Sequence, residues 1–346
     1  MSMQKLKSLS LWVDMHGCPN RCLHCYLGHG PNGRMEEDDL RFAAGAFRPF
    51  AEELRVFSHL REPDFADNYK ALWALEAALS DRRTPHFELM SVWRAARDPD
   101  YVPWLKQLGL KACQLTVFGC EAMTDKYTGR KGAYREILRS IELLLGNGIQ
   151  PRIQAFVNQE TIDEMHLVDE LIGSYGIESA FAHQGGCTGA GMKLYDIWPT
   201  PETLERMPPL LTELSLKHWQ IANLCEIFGE TELNLYHALS GSEDTRSFVT
   251  DAPYFWVDHK WDVYPNICSP APHWCLGNLK RDGAQAIVAC YLNEASPAQA
   301  ARRNIPLGEM VRTCGDANSL RLFDRGDYED YILDQYCERS ASDDKN

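Results

Sequence analysis

The sequence predicts an α/β fold: an open parallel (β/α)6 partial barrel followed by a small α+β extension built around a β-hairpin. Three observations carry this reading. Six short apolar or alternating runs, most with a helical stretch between them, occupy residues 1–225, and such alternation with right-handed crossovers makes a parallel barrel. The pattern changes over residues 226–337, where residues 255–265 read as a hairpin with its turn near His259-Lys260. Finally, the densest group of chemistry-bearing residues, Cys18, Cys22 and Cys25, follows the first run directly. It lies at the C-terminal end of a strand, where α/β folds place their chemistry.

In chain order, Leu9, Leu11 and Val13 alternate with Ser10 and Trp12 as strand one. A helix begins near Met35, with Glu36, Glu37, Asp38 and Asp39 set favourably against its N-terminal dipole. Residues 54–58 form strand two, a helix covers 71–79, and residues 87–92 form strand three. The next helix contains Trp104, Leu105 and Leu108 and stops at Gly109. Strand four spans 113–118. The helix after it carries one apolar stripe of Ile137, Leu138, Ile141, Leu144 and Leu145, a core-facing pattern. Strand five spans 153–157, a helix 162–175, and strand six 179–183. Residues 198–201 read as a linker into a helix with Leu210, Leu211, Leu214 and Leu216. Residues 338–346 are polar and read as a disordered tail.

The segment His16-Gly17-Cys18-Pro19-Asn20-Arg21-Cys22-Leu23-His24-Cys25-Tyr26 holds three cysteines at C-x3-C-x2-C spacing. Thiolates are soft ligands for iron–sulfur clusters and zinc. Three of them leave one iron of a [4Fe–4S] cluster without a protein ligand. A zinc ribbon pairs two C-x2-C knuckles, and no second C-x2-C exists here. Inert buried thiols are the remaining reading.

On these residues the sequence resembles the radical S-adenosylmethionine (radical SAM) enzymes, over roughly residues 5–225. The resemblance implies that Cys18, Cys22 and Cys25 ligate a [4Fe–4S] cluster whose open iron is chelated by SAM. It further implies an aromatic residue before the third cysteine, where this chain has His24, followed by Tyr26. The family's Gly-Gly-Glu-Pro appears here as Leu60-Arg61-Glu62-Pro63, which keeps the carboxylate that holds the SAM amine but loses both glycines. Strands four and five of the family offer polar groups to SAM, which makes Thr116, Gln154 and Asn158 candidates. The Tyr127-Thr128-Gly129-Arg130-Lys131-Gly132 run and the Gly-rich 184–191 loop fit the same resemblance, the latter near the adenine and the barrel mouth. The 184–191 loop lacks the Lys-Ser/Thr of a P-loop and does not match G-x-G-x-x-G.

The hairpin, a cysteine and Leu276-Gly277-Asn278-Leu279 resemble the SPASM/twitch extensions of radical SAM enzymes, which bind further [4Fe–4S] clusters. The dense terminal C-x2-C-x5-C-x3-C block of a full SPASM pattern is missing. The expectation is one auxiliary cluster from Cys268, Cys275, Cys290 and either Cys314 or Cys337. For the substrate step, Cys120 and Cys187 follow strands four and six, and a thiol facing the barrel mouth would donate a hydrogen atom to a substrate radical.

The 346 residues carry a net charge of −14, which argues against a nucleic-acid backbone or an anionic membrane as the main partner. No run of about 18 apolar residues is present, and the first residues lack the apolar core of a signal peptide. Twelve cysteines in such a chain read as cluster ligands and reduced thiols rather than disulfides, in a cytoplasmic protein. The expected partners are a peptide or a small-molecule intermediate and, by resemblance, a flavodoxin- or ferredoxin-type electron donor.

Overall fold

A computed structural model describes residues 5–28, 30–265 and 270–343. Strands β1 (Leu6–Val13) and β2 (Ala51–Phe57) pair in parallel, Leu11 opposite Val56. The helix Glu37–Phe47 joins them, opened by a capping box between Glu36 and Asp39. Strands β3 (Ala112–Val117), β4 (Gln150–Phe156) and β5 (Ser179–His183) form a second parallel sheet in that order. The helix Ala133–Gly146 buries Ile137, Ile141 and Leu144 against this sheet, and Met165–Tyr175 ends at a left-handed Gly176.

The expected third strand is not one. Among residues 87–92 a single parallel bridge, Leu89 with Gln114, stands in place of a ladder. Ser91 explains the interruption. Its hydroxyl accepts from Arg94 N and caps the short helix Val92–Ala95, and its own N–H donates to the Tyr101 hydroxyl at 3.0 Å instead of to a neighbouring strand. Phe87 packs on Trp12 and Phe57 of the first sheet at ring distances of 5.7 and 5.8 Å.

The C-terminal third completes the first sheet. Short β6 (Glu230–Thr231) pairs with β10 (Leu322–Phe323), whereas β7 (Tyr254–Val257) lies parallel to β1 on the edge away from β2. The hairpin closes through β8 (Asp262–Pro265), antiparallel to β7, and β9 (Gly277–Asn278) flanks it. Its turn is tightened by Asp258, whose carboxylate accepts from Lys260 N and Asp262 N. The sheet order is therefore β2-β1-β7-β8-β9.

Two further expectations can be placed. The segment read as a linker does lead into a helix, Pro201–Glu205, but its start is packed: Trp198 is 1% exposed and stacks on Phe323 at 5.8 Å. The tail is helical through residue 343, as the end of Arg325–Asp343, and residues 344–346 lie outside the described set. Among the described residues no helix is long and apolar enough to cross a membrane.

Candidate active site

The cysteine loop leaves β1 and is held on three sides. Asp14 accepts from Gly17 N at 3.1 Å. Asn32 grips the first cysteine at both ends, accepting from Cys18 N at 3.1 Å and donating to the Cys18 carbonyl at 2.9 Å. Arg21 N and Leu23 N donate to the Thr128 and Tyr127 carbonyls, both at 2.8 Å, and Ala190 N donates to the Cys25 carbonyl at 2.9 Å. The Tyr127–Gly132 run and the glycine-rich loop thus serve as backbone supports for the thiols. Gly129 and Gly189 permit this: both have positive φ, and a Cβ would meet the Arg21 carbonyl at one and the Tyr26 carbonyl at the other.

All three thiols line one cavity of about 420 Å³. Its walls also include His24, Tyr26, Leu60, Glu62, Thr116, Phe118, Arg130 and Gln154. Burial raises each thiol above its ordinary range, Cys22 to about 12, so metal binding must displace protons. The Glu62 carboxylate stands 3.9 Å from the Cys18 sulfur and accepts from Ser91 Oγ at 2.7 Å. Burial lifts it to about 7, against the lowering effect of that hydrogen bond. Behind it, Tyr101 and His86 donate to Asp64 at 2.7 and 2.9 Å, a buried polar brace that ends at Ser91.

His24 packs against Phe118 and Phe156 at 4.9 and 4.7 Å, and burial lowers it to about 4. It therefore stays neutral and acts as an aromatic wall. Tyr26 stands at the rim, 38% exposed. On the floor, Gln154 Oε1 accepts from Gln114 Nε2 at 2.7 Å and from Thr116 Oγ1 at 3.1 Å. Gln114, Arg130, Ser91, Arg61 and Asn32 were not among the sequence candidates. Arg61 carried a signal as the departure from glycine, and Arg130 as part of the Tyr127–Gly132 run.

Three candidates lie elsewhere. Asn158 is fully buried, and its amide is spent within the protein, donating to the Tyr127 hydroxyl at 2.8 Å and accepting from Glu160 N and Thr161 N. Cys120 opens the helix Glu121–Thr128, with its N–H on Glu164 at 2.7 Å, and is not a cavity residue. Cys187 is 0% exposed within the core packed around Trp198, Phe323 and Tyr331, so it too is away from the cavity. A residue following a strand faces the barrel mouth only if its loop turns inward: Cys187 turns into a packed core, and half-buried Cys120 is drawn to the start of the next helix.

The C-terminal cysteines form neighbours in twos, Cys275 with Cys290 and Cys314 with Cys337. Cys314 and Cys337 sit in one hydrophobic core and Cys290 packs against another. Cys268 lies outside the described residues. Among the described residues no three His, Cys, Asp or Glu side chains are gathered at metal-binding distances, the N-terminal trio included.

Residues 12–171 match the radical SAM superfamily. No curated protein matches the sequence. Native anSMEcpe with bound AdoMet and the Cp18Cys peptide superposes with a TM-score of 0.53 at 13% identity, over 96% of this chain and 99% of that one. A hexahistidine-tagged form of anSMEcpe with bound AdoMet gives 0.54 at 13% identity, over 96% of each. SuiB of Streptococcus suis bound to its precursor peptide SuiA matches with 0.42 at 11% identity, over 75% of this chain and 59% of that one. The fold and the cysteine-lined cavity thus define a radical SAM domain. Residues 12–171 carry that domain, and the likeness in fold to anSMEcpe extends through the expected SPASM/twitch-like extension. The cofactors of this class are a [4Fe–4S] cluster and S-adenosylmethionine. The residues fit them: three soft thiols share one cavity, with space opposite them and polar groups on its floor.

Proposed function

We propose that the protein is an enzyme that binds a [4Fe–4S] cluster through Cys18, Cys22 and Cys25, cleaves S-adenosylmethionine reductively and abstracts a hydrogen atom from a peptide side chain or backbone. The observation that carries this is the convergence of the three thiols, Glu62, Thr116 and Gln154 on one cavity. The cluster, when bound, supplies the electron for SAM cleavage and an open iron to hold SAM. The rest falls to the chain's own side chains. Glu62, oriented by Ser91, accepts hydrogen bonds from the SAM amine. Thr116 and Gln154 offer a polar floor, and neutral His24 gives the adenine an aromatic wall. Leu60, Met90, Val92, Phe118 and Ile137 keep water from the reacting carbon. The likeness to anSMEcpe bound to the Cp18Cys peptide supports a peptide substrate. A flavodoxin or ferredoxin supplies the electron in this reading.

The test compares the wild type with a Cys18→Ala/Cys22→Ala/Cys25→Ala variant after anaerobic reconstitution. Iron, sulfide and 5′-deoxyadenosine released under dithionite are measured. The wild type should hold at least about four irons and release 5′-deoxyadenosine from SAM; the variant should release none. A variant that still cleaves SAM sinks the proposal. Iron remaining in the variant would place a second cluster on the C-terminal cysteines. The same assay with peptide pools, monitored by mass change, separates a peptide substrate from a small natural-product intermediate.

A further inference from the structure

We propose that Arg61 is a positioning residue: with Asp14 it forms a buried ion pair that holds the start of the cysteine loop in place and sets the charge behind the thiols. This inference rests on the cluster-binding reading above. Arg61 occupies a place where close backbone approach was expected; it lines the cavity, and its guanidinium reaches Asp14 and the carbonyls of Gly30 and Pro31. Nε and Nη2 donate to the same Asp14 oxygen at 3.0 and 2.7 Å. Nη1 donates to the Gly30 carbonyl at 3.0 Å, and Nη2 also reaches the Pro31 carbonyl at 3.5 Å. The two side chains are 8% and 7% exposed.

The pair is joined directly to the first ligand. The other Asp14 oxygen holds Gly17 N. Gly17 has a φ of +79°, and the space its Cβ would need is filled by Arg61 Nη2 and the Asn32 amide. Asn32 in turn grips Cys18 at both its N–H and its carbonyl. One guanidinium therefore links the end of β1, residues 30–32 and the loop that begins at Gly17. A lysine has the charge but not the fork that serves Asp14 and two carbonyls at once. Arg61 places a positive charge close to the thiols and Asp14 is its direct counter-ion, so removing either one leaves its partner's charge unbalanced there. Charge near a cluster is one of the levers that sets its potential.

The test has two arms. In the first, hydrogen exchange is followed on the cluster-free protein, which needs no cofactor. Arg61→Met should speed exchange of the Gly17 and Cys18 amides on the order of tenfold or more, with Arg61→Lys intermediate; unchanged exchange in both overturns the positioning role. In the second, the midpoint potential of the reconstituted cluster is measured by EPR titration. Asp14→Asn should move it up, Arg61→Gln down, and the double variant back toward the wild type. Shifts of one sign for both single variants overturn the charge-balancing role, since loosened packing alone does not depend on the sign of the charge removed. If the wild type binds no cluster, the functional reading fails while the exchange arm still decides the loop geometry.

Discussion

Glu62 shows how much of the site a sequence yields at the scale of one residue. Its identity is legible from the Glu-Pro pair at the end of the second strand, but its setting is not. The hydroxyl that orients it comes from Ser91, and the brace beyond it from Asp64, Tyr101 and His86. The same limit hid Arg61, whose partner Asp14 is 47 residues away. The three cysteines were legible because their spacing is local. Nearby Glu76 carries a sharper consequence. It is 6% exposed, and burial raises its carboxyl from 4.5 to about 7, although Ser58 N and Oγ both donate to it at 2.6 Å. Between those two values the folded chain holds a proton that the unfolded chain has released, so stability falls as pH rises through that window. Glu76→Gln keeps the acceptor for Ser58 and removes the titration. In urea unfolding of the cluster-free protein it should match the wild type's pH trend below about pH 4.5 and gain up to about 3 kcal/mol on it by pH 8. Parallel curves for the two proteins across pH 4–8 would contradict this.

At the scale of elements, five of the six expected strands form, and most helices lie within a few residues of their expected bounds. The failure at residues 87–92 has a local cause: Ser91 can cap a helix, and the partner that accepts its N–H hydrogen bond, Tyr101, belongs to the next helix. Alternation alone did not reveal that competition. The glycine-rich loop was read by resemblance as lying near the adenine. Its glycines have a more direct duty, which is to let the loop lie against the backbone of Cys25 and Tyr26. Two positions in the loop separate this from simple flexibility. Gly189 has a φ of +55°, and its Cβ would overlap the Tyr26 carbonyl, whereas a Cβ at Gly186 would make an ordinary contact at 3.7 Å with Tyr26. Gly189→Ala should therefore cost at least about 1–3 kcal/mol from backbone strain and speed iron loss to a chelator, with Gly186→Ala close to the wild type in both. Equal chelation rates for the two variants would show that this loop does not support the third cysteine.

For the whole molecule, the sequence changes pattern near residue 225, but how its two ends pair was not legible. Parallel pairing between distant segments leaves no local signature, and nothing in the first 13 residues announces that Ser10 will lie beside Tyr254. Yet β1 is the strand that carries the cysteine loop, and it is paired on both edges. On the second edge Ser8 N, Ser10 N and Asp14 N donate to the carbonyls of Asp251, Pro253 and Val257 at 3.0, 3.1 and 2.9 Å. Leu9, Leu11 and Val13 are completely buried, in a core shared with Phe255, Val257, Val263 and Ile287. A chain cut after residue 225 would expose that edge and strip part of the cover from β1, leaving an apolar strand free to pair with other chains. The extension should thus be part of one folding unit with the N-terminal α/β part. A protein of residues 1–225 should be insoluble or aggregate at concentrations where the full chain stays dispersed, and the full chain should lose near-UV and far-UV dichroism in one coincident transition. A soluble, monomeric 1–225 fragment with a cooperative melt would show instead that the N-terminal part stands alone and that the hairpin docks on a finished edge.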